Sequence, residues 1–143
     1  MTRTLLVLGL LTLGSSSAAS PDDVRYYPAS EVDASFQKGG TLLTLDNVRV
    51  MTATRTAAGE AELHATDADI FHVLEGTATF VTGGTIAGAR DTAAGETRGT
   101  GIEGGTSRQL AAGDVITIPA GVPHWFKVVN GRFRYFVVKV GRR

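Results

Sequence analysis

The sequence of 143 residues predicts an all-β protein, either a sandwich or a barrel. Beyond about residue 40, apolar residues alternate with polar ones or form short runs bounded by Gly, Pro, Asn and Asp, which is the pattern of short strands. No window of about 12 residues keeps a helical period. The 18 glycines fit many tight turns. Many short strands with Gly-rich connections are typical of sandwiches and barrels.

Residues 1–19 predict a secretory signal peptide. Arg3 precedes an apolar run, Leu5 to Leu13, and small residues follow up to Ala19. The run is too short to span a bilayer, and cleavage after Ala19 suits the small residues that signal peptidase reads. No Cys stands at the junction to carry a lipid. We therefore expect a secreted or periplasmic protein without a membrane anchor; a buried N-terminal strand or helix is the alternative.

The remaining chain divides into an N-terminal arm, residues 20–40, and one domain, residues 41–140. The arm is polar and turn-rich, with at most one short helix around Ala29 to Phe36. The domain contains nine predicted strands: Thr41–Leu45, Val48–Thr54, Glu60–Ala65, Asp69–Leu74, Thr77–Thr82, Ser107–Leu110, Asp114–Ile118, Trp125–Val129 and Phe133–Val140.

Turn chemistry predicts how these strands connect. Asp46-Asn47, Glu75-Gly76 and Asn130-Gly131 have the composition of hairpin turns. Residues 83–106 hold eight glycines and few large apolar side chains. This Gly-rich span predicts a long loop or a loose hairpin over one end of the barrel, either a lid or mobile filler.

Composition excludes several kinds of chemistry. Basic and acidic side chains balance at 14 each, so the sequence lacks the basic excess of a nucleic-acid binder. No cysteine is present. Disulfides, thiolate nucleophiles, Cys-ligated zinc and iron–sulfur clusters are therefore excluded together.

Four ionisable side chains are predicted to meet inside the barrel. Glu62 and His64 are two residues apart on one strand and share a face. Pairing across the next turn can bring Asp69 beside them. A third strand supplies His124 directly after the turn Pro119-Ala120-Gly121-Val122-Pro123, whose prolines fix where that strand begins.

This donor set suits a divalent metal. Imidazole nitrogen and carboxylate oxygen together fill four or more positions around a borderline cation without sulfur. Carboxylates inside a barrel are costly unless they are paired, and a metal would pair them. Iron, manganese, zinc and nickel all remain open as the ion.

At these residues the sequence resembles the cupin superfamily. The second half of the first cupin motif, an acidic residue followed by six residues and Gly, is matched by Asp69 and Gly76. The second motif, Gly, five residues, Pro-x-Gly, two residues and His, is matched without a gap by Gly113, Pro119, Gly121 and His124.

The resemblance implies a jelly-roll barrel, the double-stranded β-helix, with a metal site in its interior. It places His64 at the second histidine position of the first motif and Glu62 at the first histidine position. Asp69 stands where the family has Glu, and Val128 stands where it commonly has Asn. It also implies a homodimer, because cupins commonly dimerise.

Two functions are left open. The first is a metal-dependent enzyme of dioxygenase, isomerase or lyase type acting on a small molecule, with Glu62 as a ligand or as a general base. The second is a non-catalytic module that binds a small ligand or a metal. Phe71 and Val73 share the face of Asp69 and are candidates for the substrate pocket, whereas His72 lies on the opposite face.

Overall fold

A computed structural model of the protein describes residues 23–142. The predicted signal peptide, residues 1–19, lies outside the described residues. The described elements are α1 (Ala29–Lys38), β1 (Gly40–Thr44), β2 (Val48–Arg55), β3 (Ala61–His64), β4 (Asp67–Thr82), β5 (Thr85–Ala87), β6 (Arg90–Ala93), β7 (Glu96–Gly99), β8 (Gly101–Glu103), β9 (Thr106–Ala111), β10 (Val115–Ile118) and β11 (His124–Gly141).

The short helix predicted in the arm is confirmed as α1. Pro28 precedes it, Glu31 lies in its first turn and Lys38 in its last, so both charges suit the helix dipole. Phe36 is its buried residue and packs edge-to-face on Phe136, with ring centroids 5.3 Å apart. No helix within residues 23–142 is long and apolar enough to cross a membrane.

Two long strands, β4 and β11, form the frame of the barrel. They pair antiparallel along most of their length, with three register shifts in the pairing. The hairpin turns predicted at Glu75-Gly76 and Asn130-Gly131 are therefore wrong, because both dipeptides lie inside continuous strands. Gly76 has φ +84°, and a Cβ there would lie 2.2 Å from the carbonyl oxygen of Arg132. Glycine is needed for this close crossing, not for a chain reversal.

The remaining strands are arranged around β11. One sheet has the order β1-β2-β11-β3-β7-β6, and β4 pairs with β11, β9 and β10. The described pairs are antiparallel, and the predicted turn at Asp46-Asn47 does join β1 to β2. The predicted all-β jelly-roll barrel is confirmed.

The Gly-rich span is more ordered than a loop. It contains β5 to β8; β7 pairs with both β3 and β6, and β5 pairs with β8. Of the two predictions for this span, the long loop is wrong and the hairpin is closer to the structure. Every residue of β6 is exposed, so this strand carries no alternating apolar pattern by which sequence analysis could have found it.

The hydrophobic core fills the barrel on one side of the candidate site. Phe80 and Phe133 are fully buried and are among its largest side chains. Aromatic rings predominate, in edge-to-face and tilted contacts such as Phe80 on Phe126 at 4.6 Å. This packing holds the strands that carry the polar residues described next.

Candidate metal centre

The four predicted site residues meet in the barrel interior. Glu62 and His64 come from β3, Asp69 from β4 and His124 from the first position of β11, opposite Glu62 in register. The route differs from the prediction: among the described residues β3 does not pair with β4. Asp69 reaches the histidines across the interior, because β3 pairs instead with β7 and β11.

The distances between donor atoms define a compact cluster. Asp69 Oδ2 lies 3.4 Å from Nε2 of His64 and 3.6 Å from Nε2 of His124. Glu62 Oε2 lies 3.5 Å and 3.9 Å from the same two nitrogens. Donor atoms of Glu62, His64 and His124 all lie within 4.8 Å of one another, as three ligands of one ion do.

Both imidazoles are oriented by their outer nitrogens. Nδ1–H of His64 donates to Oε2 of Glu96 at 2.6 Å, and Nδ1–H of His124 donates to the carbonyl of Val122 at 3.1 Å. The Nε2 atoms are buried and have no hydrogen-bond partner among the described residues. Metal-ligating histidines are held in this way, with one nitrogen anchored and the other facing the ion.

In each carboxylate, one oxygen faces the histidines and the other contacts a cationic side chain. Oε2 of Glu62 faces the histidines, while Oε1 lies 2.5 Å from Nη1 of Arg98. Oδ2 of Asp69 faces the histidines, while Oδ1 accepts a hydrogen bond from Nζ of Lys139 at 2.8 Å. The cations hold the carboxylates so that one oxygen of each points inward.

The turn before β11 also fixes the site. Gly121 N–H donates to the carbonyl of His64 at 2.7 Å, so the turn is tied to β3. Gly121 has φ +79°, a conformation that favours glycine. The spacing of the second motif therefore sets where His124 lies relative to His64.

Comparison with known proteins identifies the family and the fold. A sequence model of the family described as Cupin matches residues 18–141. The chain belongs to the cupin family. No curated protein matches the sequence.

Three solved structures show the same fold at low sequence identity. A protein from Bacillus halodurans is 14% identical, with a TM-score of 0.60 and 88% of each chain covered. A proposed mannose-6-phosphate isomerase from Ralstonia eutropha is 14% identical, with a TM-score of 0.52, covering 73% of this cupin and 83% of that chain. HppE in its iron(II) form is 17% identical, with a TM-score of 0.51, covering 71% and 49%.

The electrostatics of the cupin site keep both carboxylates ionised. Burial by itself raises the pKa of Glu62, but His64, Arg98, His124 and Arg55 outweigh it and lower that pKa to about 2. Burial lowers the pKa of His64, but the carboxylates of Asp69 and Glu62 outweigh it and raise the pKa to about 9. Burial also lowers the pKa of His124. Burial likewise raises the pKa of Asp69, but His64 and Lys139 outweigh it and lower that pKa. Two ionised carboxylates thus face the imidazoles, and in the metal-free site the protonated His64 together with Arg98 and Lys139 balances their charge, so a metal would replace the proton on His64.

A cavity of about 440 Å³ adjoins the four residues. Phe71 lies in its wall, as predicted, together with the aromatic rings of Trp125, Phe126 and Tyr135. Val73 does not line this cavity; it is 1% exposed and packs in the core. The pocket role predicted for Val73 is therefore wrong. The inward face of β4 lines the cavity at Phe71 and packs in the core at Val73.

Several residues of the site were missed by sequence analysis. They are Arg55, Glu96, Arg98, Tyr135 and Lys139. Glu96 and Arg98 lie in the Gly-rich span, where no motif indicated a strand. The spacing along the sequence gave one usable signal: Glu96 and Arg98 are two residues apart, as Glu62 and His64 are. In the structure the two pairs lie opposite each other in the β3–β7 register.

Proposed function

We propose that this cupin binds a divalent metal through Glu62, His64, Asp69 and His124. The observation that carries the proposal is the pair of buried Nε2 atoms that face one oxygen of each carboxylate and make no hydrogen bond within residues 23–142. Ligands about 2.1 Å from one tetrahedral ion lie about 3.4 Å apart. The four carboxylate–imidazole separations, 3.4, 3.5, 3.6 and 3.9 Å, are close to this spacing. Among the described residues, the donor atoms of Glu62, His64 and His124 form the mutually close group, and Asp69 joins it through its contacts with the two histidines.

We further propose that the loaded protein is an enzyme acting on a small molecule in the adjoining cavity. The metal would supply Lewis acidity or, if it is iron, redox chemistry of the dioxygenase type. Glu62 fits a ligand better than a general base, because its oxygens already face the histidines and two arginines. Isomerase and lyase reactions remain part of the proposal, and the metal is iron, manganese, zinc or nickel.

Metal analysis of the natively purified protein tests the binding proposal. The expected result is one divalent ion per chain in the wild type and almost none in His124→Ala. His72→Ala is the matched control, because His72 is exposed on the outer face of β4 and should leave the metal content unchanged. A wild type that neither retains nor takes up any of the four metals contradicts the proposal.

A non-catalytic binding module is the second candidate, and one observation favours it. Lys139 pairs with Asp69 and Arg98 with Glu62, so the carboxylates are neutralised without an ion. If the module is metal-free, a chelator would leave the thermal unfolding midpoint unchanged; if it holds a metal only for stability, chelation would lower the midpoint and no substrate would be turned over. A drop of several degrees on chelation, restored by metal, favours the resident ion.

The fold relatives show the fold alone and do not select among these activities. The likeness to a proposed isomerase and to an iron(II) protein comes at 14% and 17% identity, so neither reaction is transferred to this cupin. Turnover assays should therefore sample both isomerisation and oxygen consumption.

Export and dimerisation also remain proposals. The order of charged, apolar and small residues supports cleavage after Ala19. The mass of the protein recovered from the periplasm or medium tests this, and an intact N-terminus contradicts it. Light scattering of the purified protein tests the homodimer.

A further inference from the structure

We propose that the cavity beside the metal centre binds a small organic carboxylate, held by Arg55 and Arg98. This inference rests on the proposed metal function and adds the substrate class. It follows from where the two guanidinium groups lie, which donors they leave free and how charge balances in the cavity.

Both guanidinium groups lie at the same point of the cavity wall. Nη1 of Arg98 is 2.5 Å and Nη2 of Arg55 is 3.5 Å from Oε1 of Glu62. The other oxygen of Glu62 faces the histidines. The arginines are thus one carboxylate group away from the metal position, a distance that one small molecule can bridge.

Arg55 is held rigidly in this position. Its Nε donates to the hydroxyl of Tyr135 at 2.9 Å, and its guanidinium carbon lies 4.7 Å from the centre of the Phe126 ring. Arg98 is placed by strand pairing, because β7 aligns it directly opposite Glu62. A guanidinium fixed before binding loses little entropy when it meets an anion.

The two arginines keep donors that no described residue accepts. Nη1 is the only nitrogen of Arg98 with a partner, and Nη1 of Arg55 has none within residues 23–142. Both side chains line the cavity and are partly exposed, Arg98 at 31% and Arg55 at 26%. Guanidinium donors are matched in geometry to the two oxygens of a carboxylate.

Charge balance points to an anion as well. The wall contains four cationic side chains, Arg49, Arg55, Arg98 and Lys139, and four carboxylates, Glu60, Glu62, Asp69 and Glu96. A divalent ion therefore leaves the cavity with two excess positive charges. Excess charge in a partly buried site is unfavourable, and a bound carboxylate reduces it.

The rest of the wall suits an apolar body. Phe71, Phe126 and Val137 line the cavity beside the arginines. About 440 Å³ is in the range of small-molecule sites. A small carboxylate can therefore place its charge on the arginines and its body against these rings.

The test compares carboxylates with neutral amides of the same shape. Acetate and benzoate, with acetamide and benzamide as their partners, are titrated into the full protein with and without Zn²⁺, and binding is followed by NMR chemical shifts. The Zn²⁺ affinity of each variant is measured first. In the Zn²⁺-loaded wild type, each carboxylate should bind about tenfold more tightly than its amide.

Arg98→Gln should weaken benzoate binding about tenfold in protein saturated with Zn²⁺. Arg98→Lys should recover part of that loss, because it keeps the charge without the planar fork. Arg55→Lys tests the second arginine of the proposed site independently. The matched control is Arg108→Gln: Arg108 lies on β9, donates a hydrogen bond to Thr82 and does not line this cavity, so benzoate binding should not change.

Each outcome decides between the two proposals. Equal affinity for carboxylates and amides, or no binding of either, in protein that takes up Zn²⁺ overturns the carboxylate inference and leaves the metal function standing. Failure to take up any metal overturns the proposed function. If benzoate still binds in an Arg98-dependent way in that case, the anion site stands alone; if it does not, both fail.

Discussion

The strands that carry the motifs and the Gly-rich span contribute different parts of one site. β3, β4 and β11 supply the four candidate donors, of which His64, Asp69 and His124 are only 2–4% exposed. The span supplies Glu96, which orients His64, and Arg98, which holds Glu62. The donors thus lie on the barrel frame, and the side chains that orient His64 and Glu62 lie on the hairpin of β6 and β7.

This difference predicts that the two regions respond differently to mutation. Changes in the frame should affect folding first, because the donors are packed among core residues. Changes in the span should affect the site more than the fold, because β6 is wholly exposed and β7 is half-buried. The predictions below test that division, beginning with the largest expected effect.

Gly76→Ala should destabilise the frame by about 3 kcal/mol or more in urea unfolding. The added Cβ would lie 2.2 Å from the Arg132 carbonyl oxygen, and the residue would keep φ +84°. Gly131→Ala is the control: it has φ +69° but open space around the Cβ, and should cost about 1 kcal/mol. Equal losses in the two variants would show that β4 and β11 do not cross as closely as described.

Lys139→Met should cost about 3 kcal/mol in metal-free protein. It leaves the buried Asp69 without the cation that lies 2.8 Å away. Arg49→Met, which removes a more exposed partner of Asp67, should cost about 1 kcal/mol or less. Urea unfolding with and without Zn²⁺ checks this, and Zn²⁺ should restore more stability to Lys139→Met than to the wild type. The absence of that difference would argue against Asp69 as a ligand.

Gly99→Ala tests whether the Gly-rich span is packed. A Cβ there would lie 2.2 Å from Cγ2 of Ile86 and 2.4 Å from the Ala87 oxygen. We expect a loss of about 2 kcal/mol and weaker Zn²⁺ binding, because β7 must shift. Gly104→Ala, with φ +70° and open space, should cost about 1 kcal/mol and bind Zn²⁺ normally. A Gly99→Ala variant as stable as the wild type would indicate that the span is a loop and not packed strands.

Glu96→Gln should weaken Zn²⁺ binding about 10–100-fold with little change in unfolding. It removes the charged acceptor of the His64 Nδ1–H bond but keeps the side-chain size. Glu60→Gln is the control: Glu60 lies in the same cavity wall but bonds the exposed Arg90 and no histidine. Direct titration by calorimetry measures both, and identical affinities would exclude an orienting role for Glu96.

Most of the frame could be predicted from the sequence, for identifiable reasons. Alternating apolar residues marked the strands, and parity placed Glu62 and His64 on one face. The hairpin turns predicted at Glu75-Gly76 and Asn130-Gly131 were wrong. A glycine that allows two strands to cross closely lies in the same kind of local sequence as a glycine that allows a turn. The pocket prediction for Val73 also failed. Alternation along a strand predicts which face a side chain is on, but not how deep in the barrel it lies.

The order of residues along the chain was enough to assign this protein to the β-class, to align its second motif and to nominate four side chains, since those features depend on spacing along single strands. Tertiary structure alone decided that Asp69 meets the histidines across the interior and that Glu96, Arg98 and Lys139 surround them. Apart from the contact of Asp69 with His64, five positions away, those contacts join residues between 32 and 70 positions apart. Short-range patterns contain no information about pairing over such separations.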